Sequence, residues 1–190
     1  QDIFFCENGK LKIGITQIGE ASNHKFGWLT MRDIIAKSSN IGAIKIAQQV
    51  GRKPFYEYIR KFGFGEKSGL SLPGESAGQL KDQKNWTTMS LASISFGHEI
   101  AVTPIQMVSA LAAIANGGNL MVPQITRALI KNGQVMEQFK PEKIRRVISE
   151  RTSRQLVEVL KSVVKTGTGK KAALEGFDVA GKTGTAQKYN

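Results

Sequence analysis

A single cysteine in 190 residues excludes an internal disulfide, so packing and hydrogen bonds must hold this chain together. Cys6 lies among Phe4, Phe5 and Glu7 and reads as a structural thiol, not a nucleophile. No run of roughly 18 apolar residues occurs, which excludes a membrane-spanning helix within these residues. The opening Gln1-Asp2-Ile3-Phe4-Phe5 has neither the charged start nor the apolar stretch of a secretory signal. With no initiator methionine, the natural N-terminus is expected elsewhere. Acidic residues are scarce, 15 against 27 Lys and Arg, giving a net charge of +12. Such a balance suits nucleic acid, anionic headgroups or a polyanionic wall. However, the lysines are scattered and no aromatic stripe accompanies them, so nucleic acid is not the expected partner. A solvated basic surface is the plain reading.

What is present is ordinary for one globular domain: 41% hydrophobic and 22% charged residues. Residues 1–20 alternate around Leu11, Ile13, Ile15 and Ile18 as strands do. Thr30 with Asp33 forms a capping-box pattern that predicts a helix to about Lys37. After a break at Ser38-Ser39-Asn40, a second helix is predicted on Ile41, Ile44, Ala47 and Val50, stopping at Gly51. Pro54 starts a third, which ends at Gly63, and a long structured loop follows from Phe64 to about Trp86. Thr103-Pro104-Ile105-Gln106 opens a nearly all-apolar helix that is expected to be buried. Asn132-Gly133 between two apolar runs signals a hairpin, and the last helix covers about 150–165. Many helices with few strands predict an α+β class.

Gly176 to Thr183 satisfies G-x-x-x-x-G-K-[ST], the phosphate-binding loop pattern. That loop needs a strand before it and a helix behind it. Here a polar, glycine-rich stretch precedes the motif, and the seven residues from Gly184 are too few and too turn-prone for a helix. The pattern fits by letter and fails by context. Phe177 to Ala180 reads as a short strand instead, running into Lys182-Thr183-Gly184-Thr185. An earlier copy, Lys165-Thr166-Gly167-Thr168, continues the last helix and is the lesser candidate.

Taken with Ser38-x-Asn40, the K-T-G segment is informative. Ser38-Ser39-Asn40-Ile41-Gly42, Phe62-Gly63-Phe64-Gly65, Gly69-Leu70-Ser71-Leu72-Pro73-Gly74-Glu75, Val102-Thr103-Pro104-Ile105-Gln106 and Ala180-Gly181-Lys182-Thr183-Gly184-Thr185-Ala186-Gln187 together resemble the transpeptidase domain of class B penicillin-binding proteins. The resemblance covers almost the whole chain. It implies a serine β-lactamase/transpeptidase-like fold, an antiparallel sheet flanked by a helical cluster, incomplete here, with residues 1–190 as one partial domain. It also implies peptidoglycan D,D-transpeptidase activity, by acyl transfer from D-Ala-D-Ala stem peptides through a serine ester. Ser38, Asn40 and Lys182 would be catalytic, with Ser38 relaying a proton to the leaving amine and Asn40 holding the substrate amide. Thr183, Gly184 and Thr185 would bind substrate on a cleft-edge strand. His98 and Glu99 read as a solvated loop pair before rim residues. No cofactor and no metal are implied. The implied partners are stem peptides or lipid-linked precursor, β-lactam antibiotics and other cell-wall or divisome proteins. The implied location is the extracytoplasmic face of the bacterial inner membrane.

The family's S-x-x-K nucleophile motif has two formal matches, Ser22-Asn23-His24-Lys25 and Ser162-Val163-Val164-Lys165. The first lies in a polar loop only sixteen residues before Ser38, and the second lies on the wrong side of S-x-N. Neither fits, so the nucleophile is expected outside the chain, which reads as an internal piece of a larger protein and is expected to be inactive alone. A hydrolase on the same fold and a non-catalytic penicillin sensor remain the alternatives.

Overall fold

A computed structural model describes residues 2–70 and 72–184. The first stretch carries β1 (Ile3–Phe5), β2 (Lys10–Ile13), β3 (Thr16–Gly19) and β4 (Trp28–Thr30), then α1 (Met31–Lys37), α2 (Asn40–Val50) and α3 (Arg52–Lys61). β5 (Gln79–Leu80), α4 (Thr88–Ser95), β6 (Ile100–Ala101) and α5 (Pro104–Ala115) follow. β7 (Asn119–Met121), β8 (Ala128–Lys131), β9 (Gln134–Gln138), β10 (Lys143–Arg146) and α6 (Glu150–Lys165) complete the described elements. The class is α+β, as expected. Its strands pair as two-stranded ribbons, with β1–β4, β2–β3, β7–β10 and β8–β9 all antiparallel. Two compact units are present, one of Gln1–Tyr56, Lys81–Ile100 and Gln155–Asn190, the other of Glu57–Leu80 and Ala101–Arg154.

The first unit is built around Phe4, Cys6, Leu29, Ile34 and Ile41, with Leu11, Phe26 and Ile46 packed against them. Burying each large apolar side chain contributes about 1.5–3 kcal/mol. The β1–β4 register sets Phe4 opposite Leu29, so one ribbon supplies two core residues from one face. Of the predicted alternation, Leu11, Ile13 and Ile18 fall in β2 and β3, whereas Ile15 occupies the tip between them and is fully exposed. A two-residue turn has no inside face, so its hydrophobic residue cannot join the core.

The capping box at α1 is formed: Asp33 N–H donates to Thr30 Oγ1 at 3.1 Å and the Thr30 hydroxyl to Asp33 Oδ2 at 2.6 Å. α2 stops at Gly51 with φ +86, as its sequence predicts. Between these helices Ile34 is 2% exposed and lies on Gly42, where an added Cβ would stand 2.5 Å from Ile34 Cγ1. α4, unforeseen in a Ser- and Thr-rich stretch, packs along α2 and starts with its own box, Thr87 with Ser90. Just before it, Trp86 is buried, donates Nε1–H to the Lys81 carbonyl at 2.9 Å and meets Phe55 and Tyr56 edge-on.

In the second unit α5 opens on the predicted Thr103–Gln106 box. Gln106 is 2% exposed, and its Nε2 also donates to the carbonyls of Glu66 (2.7 Å) and Ala77 (2.9 Å), holding the long loop. The expectation that the whole helix is buried is not met. Only Gln106, Ala110 and Ala113 are buried, while Met107, Val108 and Leu111 are exposed. Those buried positions form one 3.6-residue stripe, because protein covers a single side of this helix in the described residues. The β8–β9 hairpin turns on Asn132 (φ +52) and Gly133 (φ +78), the mirror-image turn that Asn-Gly favours.

Gly42→Ala should therefore force Ile34 out of place and cost about 1–3 kcal/mol, read as a lower Tm in thermal unfolding. An unchanged Tm would show that the α1–α2 contact yields freely. Asp33 gives a pH-dependent prediction. The Thr30 hydroxyl holds its pKa below the usual aspartate value. Stability from the ionised form is full above the ordinary value and lost as pH falls through the lowered one. Asp33→Ala should cost about 1 kcal/mol near neutrality and progressively less on acidification.

Candidate active site

The elbow between α1 and α2 creates the site. α1 ends at Ser38 in the left-handed region (φ +57, ψ 46), and Ser39 N–H reaches back to the Ile34 carbonyl at 3.0 Å. A serine there costs about 1–2 kcal/mol relative to an ordinary helical residue, and such local strain is concentrated at functional positions. Ser39, next in line, is 2% exposed and caps α2 by accepting from Gly42 N–H at 2.9 Å.

Glu20 anchors this turn from below. It is 7% exposed; its Oε1 accepts from Ser39 Oγ at 2.5 Å and its Oε2 from Asn40 N–H at 2.6 Å. A carboxylate at the amino end of an 11-residue helix also answers the helix dipole. Asn40 Nδ2 donates to the Gly19 carbonyl at 3.1 Å, which fixes the side-chain amide. Cys6 Sγ sits 3.6 Å from Ser39 Oγ, and burial pushes the Cys6 thiol pKa up, so the thiol is neutral structural filling. Sequence reasoning missed Glu20, because it is nineteen residues from Ser39 with no local pattern to mark it.

Lys182 arrives from the far end of the chain. Its Nζ donates to Ser38 Oγ at 2.8 Å and to the Thr183 carbonyl at 3.1 Å, with Thr183 Oγ1 at 3.4 Å. Lys182 is exposed overall, yet its ammonium end is crowded, and desolvation lowers its pKa from the usual lysine range. Thr183 Oγ1 also lies 2.7 Å from Thr168 Oγ1, in the earlier K-T-G-T copy. An added Cβ at Gly184 would meet nothing within 4 Å. Thr185 lies outside the described residues. The structure thus brings Ser38, Asn40, Lys182 and Thr183 to one elbow.

One expectation changes. The segment Phe177 to Gly184 is not a strand. Among the described residues no strand pairs with it; it is held by Gly181 N–H on the Leu160 carbonyl (3.3 Å) and by Asp178 on Lys161 (3.0 Å) and Lys165 (3.3 Å). Those two ammonium groups hold the Asp178 pKa below the usual range. Nor does a strand precede Gly176; Lys170–Ala172 is a single 3-10 turn, contrary to a phosphate loop. Glu99 pairs with Lys81 at 3.1 Å and accepts from Ser90 Oγ at 3.0 Å, so its carboxylate is already engaged. Ser22 is exposed at φ +55 and Ser162 Oγ is spent on the Val159 carbonyl at 2.6 Å, so neither is set up as a nucleophile.

Comparison with known proteins gives the family. The family model "Penicillin binding protein transpeptidase domain" matches residues 1–190. The chain belongs to this family. It is 39% identical over 190 residues to penicillin-binding protein PbpB of Mycolicibacterium smegmatis, covering 96% of this chain and 29% of that protein. Among solved structures, the transpeptidase domain of Burkholderia pseudomallei penicillin-binding protein 3 superposes with a TM-score of 0.85 at 34% identity, covering 99% of this chain and 54% of that one. Penicillin-binding protein 3 of Mycobacterium tuberculosis, solved with ampicillin, gives 0.87 at 35% identity, covering 96% and 42%. These neighbours establish the transpeptidase fold for this chain, which spans under a third of the PbpB length.

Within this transpeptidase domain Glu20 gives the sharpest prediction. Glu20→Ala leaves the Ser39 hydroxyl and Asn40 amide without partners and should cost about 1–3 kcal/mol, while Glu20→Gln keeps one acceptor oxygen for the Asn40 amide, its NH2 can donate to a reoriented Ser39 hydroxyl, and it loses less. Urea unfolding together with exchange of the Asn40 amide reads both effects. Unaltered exchange at Asn40 in Glu20→Ala would remove Glu20 from the site's support.

Proposed function

We propose that the protein containing this chain is a peptidoglycan D,D-transpeptidase, and that residues 1–190, both compact units included, form part of its transpeptidase domain. The carrying observation is the 2.8 Å contact between Lys182 Nζ and Ser38 Oγ, across 144 positions of sequence. A lysine and a serine hydroxyl joined in this way form a proton path, which acyl transfer requires twice.

The first step joins a nucleophilic serine oxygen, supplied from outside these 190 residues, to the carbonyl carbon of the penultimate D-alanine. The C–N bond to the terminal D-alanine breaks, the Ser38 hydroxyl passes a proton to that leaving amine, Lys182 returns a proton to Ser38, and the proton released by the nucleophilic serine restores Lys182. In the second step an amine of a neighbouring stem peptide attacks the ester, and the serine oxygen leaves with a proton. A pKa lowered by desolvation suits Lys182 to this exchange, since its proton is given up more readily than that of a solvated lysine. Asn40, held at Gly19, would present its side chain to the substrate amide. The Thr183 hydroxyl and the Lys182 charge suit a terminal carboxylate, and the open surface over Gly184 leaves room for an extended peptide. Thr185 would donate its amide to the developing oxyanion.

The M. tuberculosis neighbour binds ampicillin in its solved structure. By the same fold and motifs, β-lactams are proposed as acylating ligands here, with stem peptides or lipid-linked precursor as substrates and other wall-synthesis proteins as partners. The proposed location is the extracytoplasmic face of the inner membrane.

Fluorescent penicillin tests this reading. The full-length protein should form a covalent adduct, and Lys182→Ala should slow its formation roughly 10²–10⁴-fold. The isolated 190-residue chain should form none. Stoichiometric labelling of that chain at Ser22, located by peptide mapping, would overturn the assignment of the nucleophile.

A further inference from the structure

The earlier K-T-G-T copy is not idle. Its Gly167 lies so close to α1 that an added Cβ would stand 2.1 Å from the Ala36 carbonyl oxygen. Thr168 N–H donates to that same carbonyl at 3.0 Å, two residues before Ser38. On the other side, Gly167 N–H and Gly169 N–H donate to the Val163 carbonyl at 3.1 and 2.9 Å, fastening the loop to the last turn of α6. The backbone of Thr168 is thus pinned to both helices, and its hydroxyl is aimed at Thr183 Oγ1, 2.7 Å away. Thr183 Oγ1 is in turn 3.4 Å from the Lys182 ammonium that holds Ser38.

We propose that Thr168 is a positioning residue for the transpeptidase site: its hydroxyl fixes the rotamer of Thr183 and so orients the hydroxyl that receives the substrate carboxylate. This rests on the transpeptidase reading above. The two threonine hydroxyls share one hydrogen bond, and a threonine χ1 rotamer freed of it can turn Oγ1 away from the ligand. The pinned backbone gives the donor a fixed origin, as a supporting residue needs. Thr168 touches no reacting atom and acts only through Thr183.

A double-mutant cycle in the full-length protein separates this from general support. Thr168→Val, which removes the hydroxyl and keeps the branched shape, should slow acylation by labelled penicillin about five- to tenfold, the scale of one hydrogen bond. Thr168→Ser should restore most of the rate. In a Thr183→Val background the same Thr168→Val change should have no further effect. An equal loss in both backgrounds, or no loss in the single variant, overturns the proposal. Should Thr168→Val not fold, Thr168→Ala in the same cycle, with Tm measured alongside, carries the same two outcomes. Absence of any adduct in the wild-type full-length protein would instead count against the transpeptidase reading itself.

Discussion

Ile34 rests directly on the backbone of Gly42, and this contact lets α1 and α2 meet across only Ser38 and Ser39. A side chain at position 42 would push the helices apart, and the turn would need more residues to span the gap. Because the turn is so short, Ser38 is forced into the left-handed region, and its hydroxyl meets Lys182 Nζ while Ser39 and Ile41 are buried. The core beneath, with Phe4, Leu29 and Cys6, is therefore also the base of the site. Packing and chemistry are one constraint here: whatever loosens the core moves Ser38.

The other half of the site is held differently. Among the described residues, Lys182 and Thr183 belong to a segment outside any strand pair, and side chains and single amides hold it there. Asp178 between Lys161 and Lys165, the Gly181 amide on Leu160, and Thr168 on Thr183 fasten it at three points to α6 and the loop behind it. The ion pairs are exposed, and water and salt screen such pairs strongly. Among the described residues, its position depends on these contacts acting together.

Much of the helical scaffold was legible because its signals are local. Thr30 with Asp33, Thr103-Pro104 with Gln106, Gly51 after α2 and Asn132-Gly133 each act within four residues, and each does in the structure what its chemistry dictates. The α4 box of Thr87 and Ser90 carries the same kind of signal, hidden because serine at the third position replaces the usual Glu or Gln. Ser38, Asn40 and Lys182 were picked out by motif spacing, and in the structure Lys182 Nζ meets Ser38 Oγ. Glu20 and Thr168 were not legible as supports. Their partners lie nineteen and fifteen residues away, and no periodicity encodes a contact made by the fold. The apolar run of α5 misled for the opposite reason: composition reports what a helix can bury, not how many sides are covered.

The distribution of carboxylates sharpens the electrostatics. Glu20 is committed to Ser39 and Asn40, Asp178 to two lysines and Glu99 to Lys81. Among the described residues, Lys182 meets only hydroxyl and carbonyl oxygens. A carboxylate beside it would raise its pKa, neutralise its field and fill the place of an incoming anion. With neutral partners alone, the ammonium keeps its attraction for an anionic ligand. Desolvation, with no carboxylate partner among the described residues to oppose it, loosens its proton. In the transpeptidase proposed above, anion binding and proton transfer make opposite demands on Lys182, and a surrounding without a carboxylate partner among the described residues serves both.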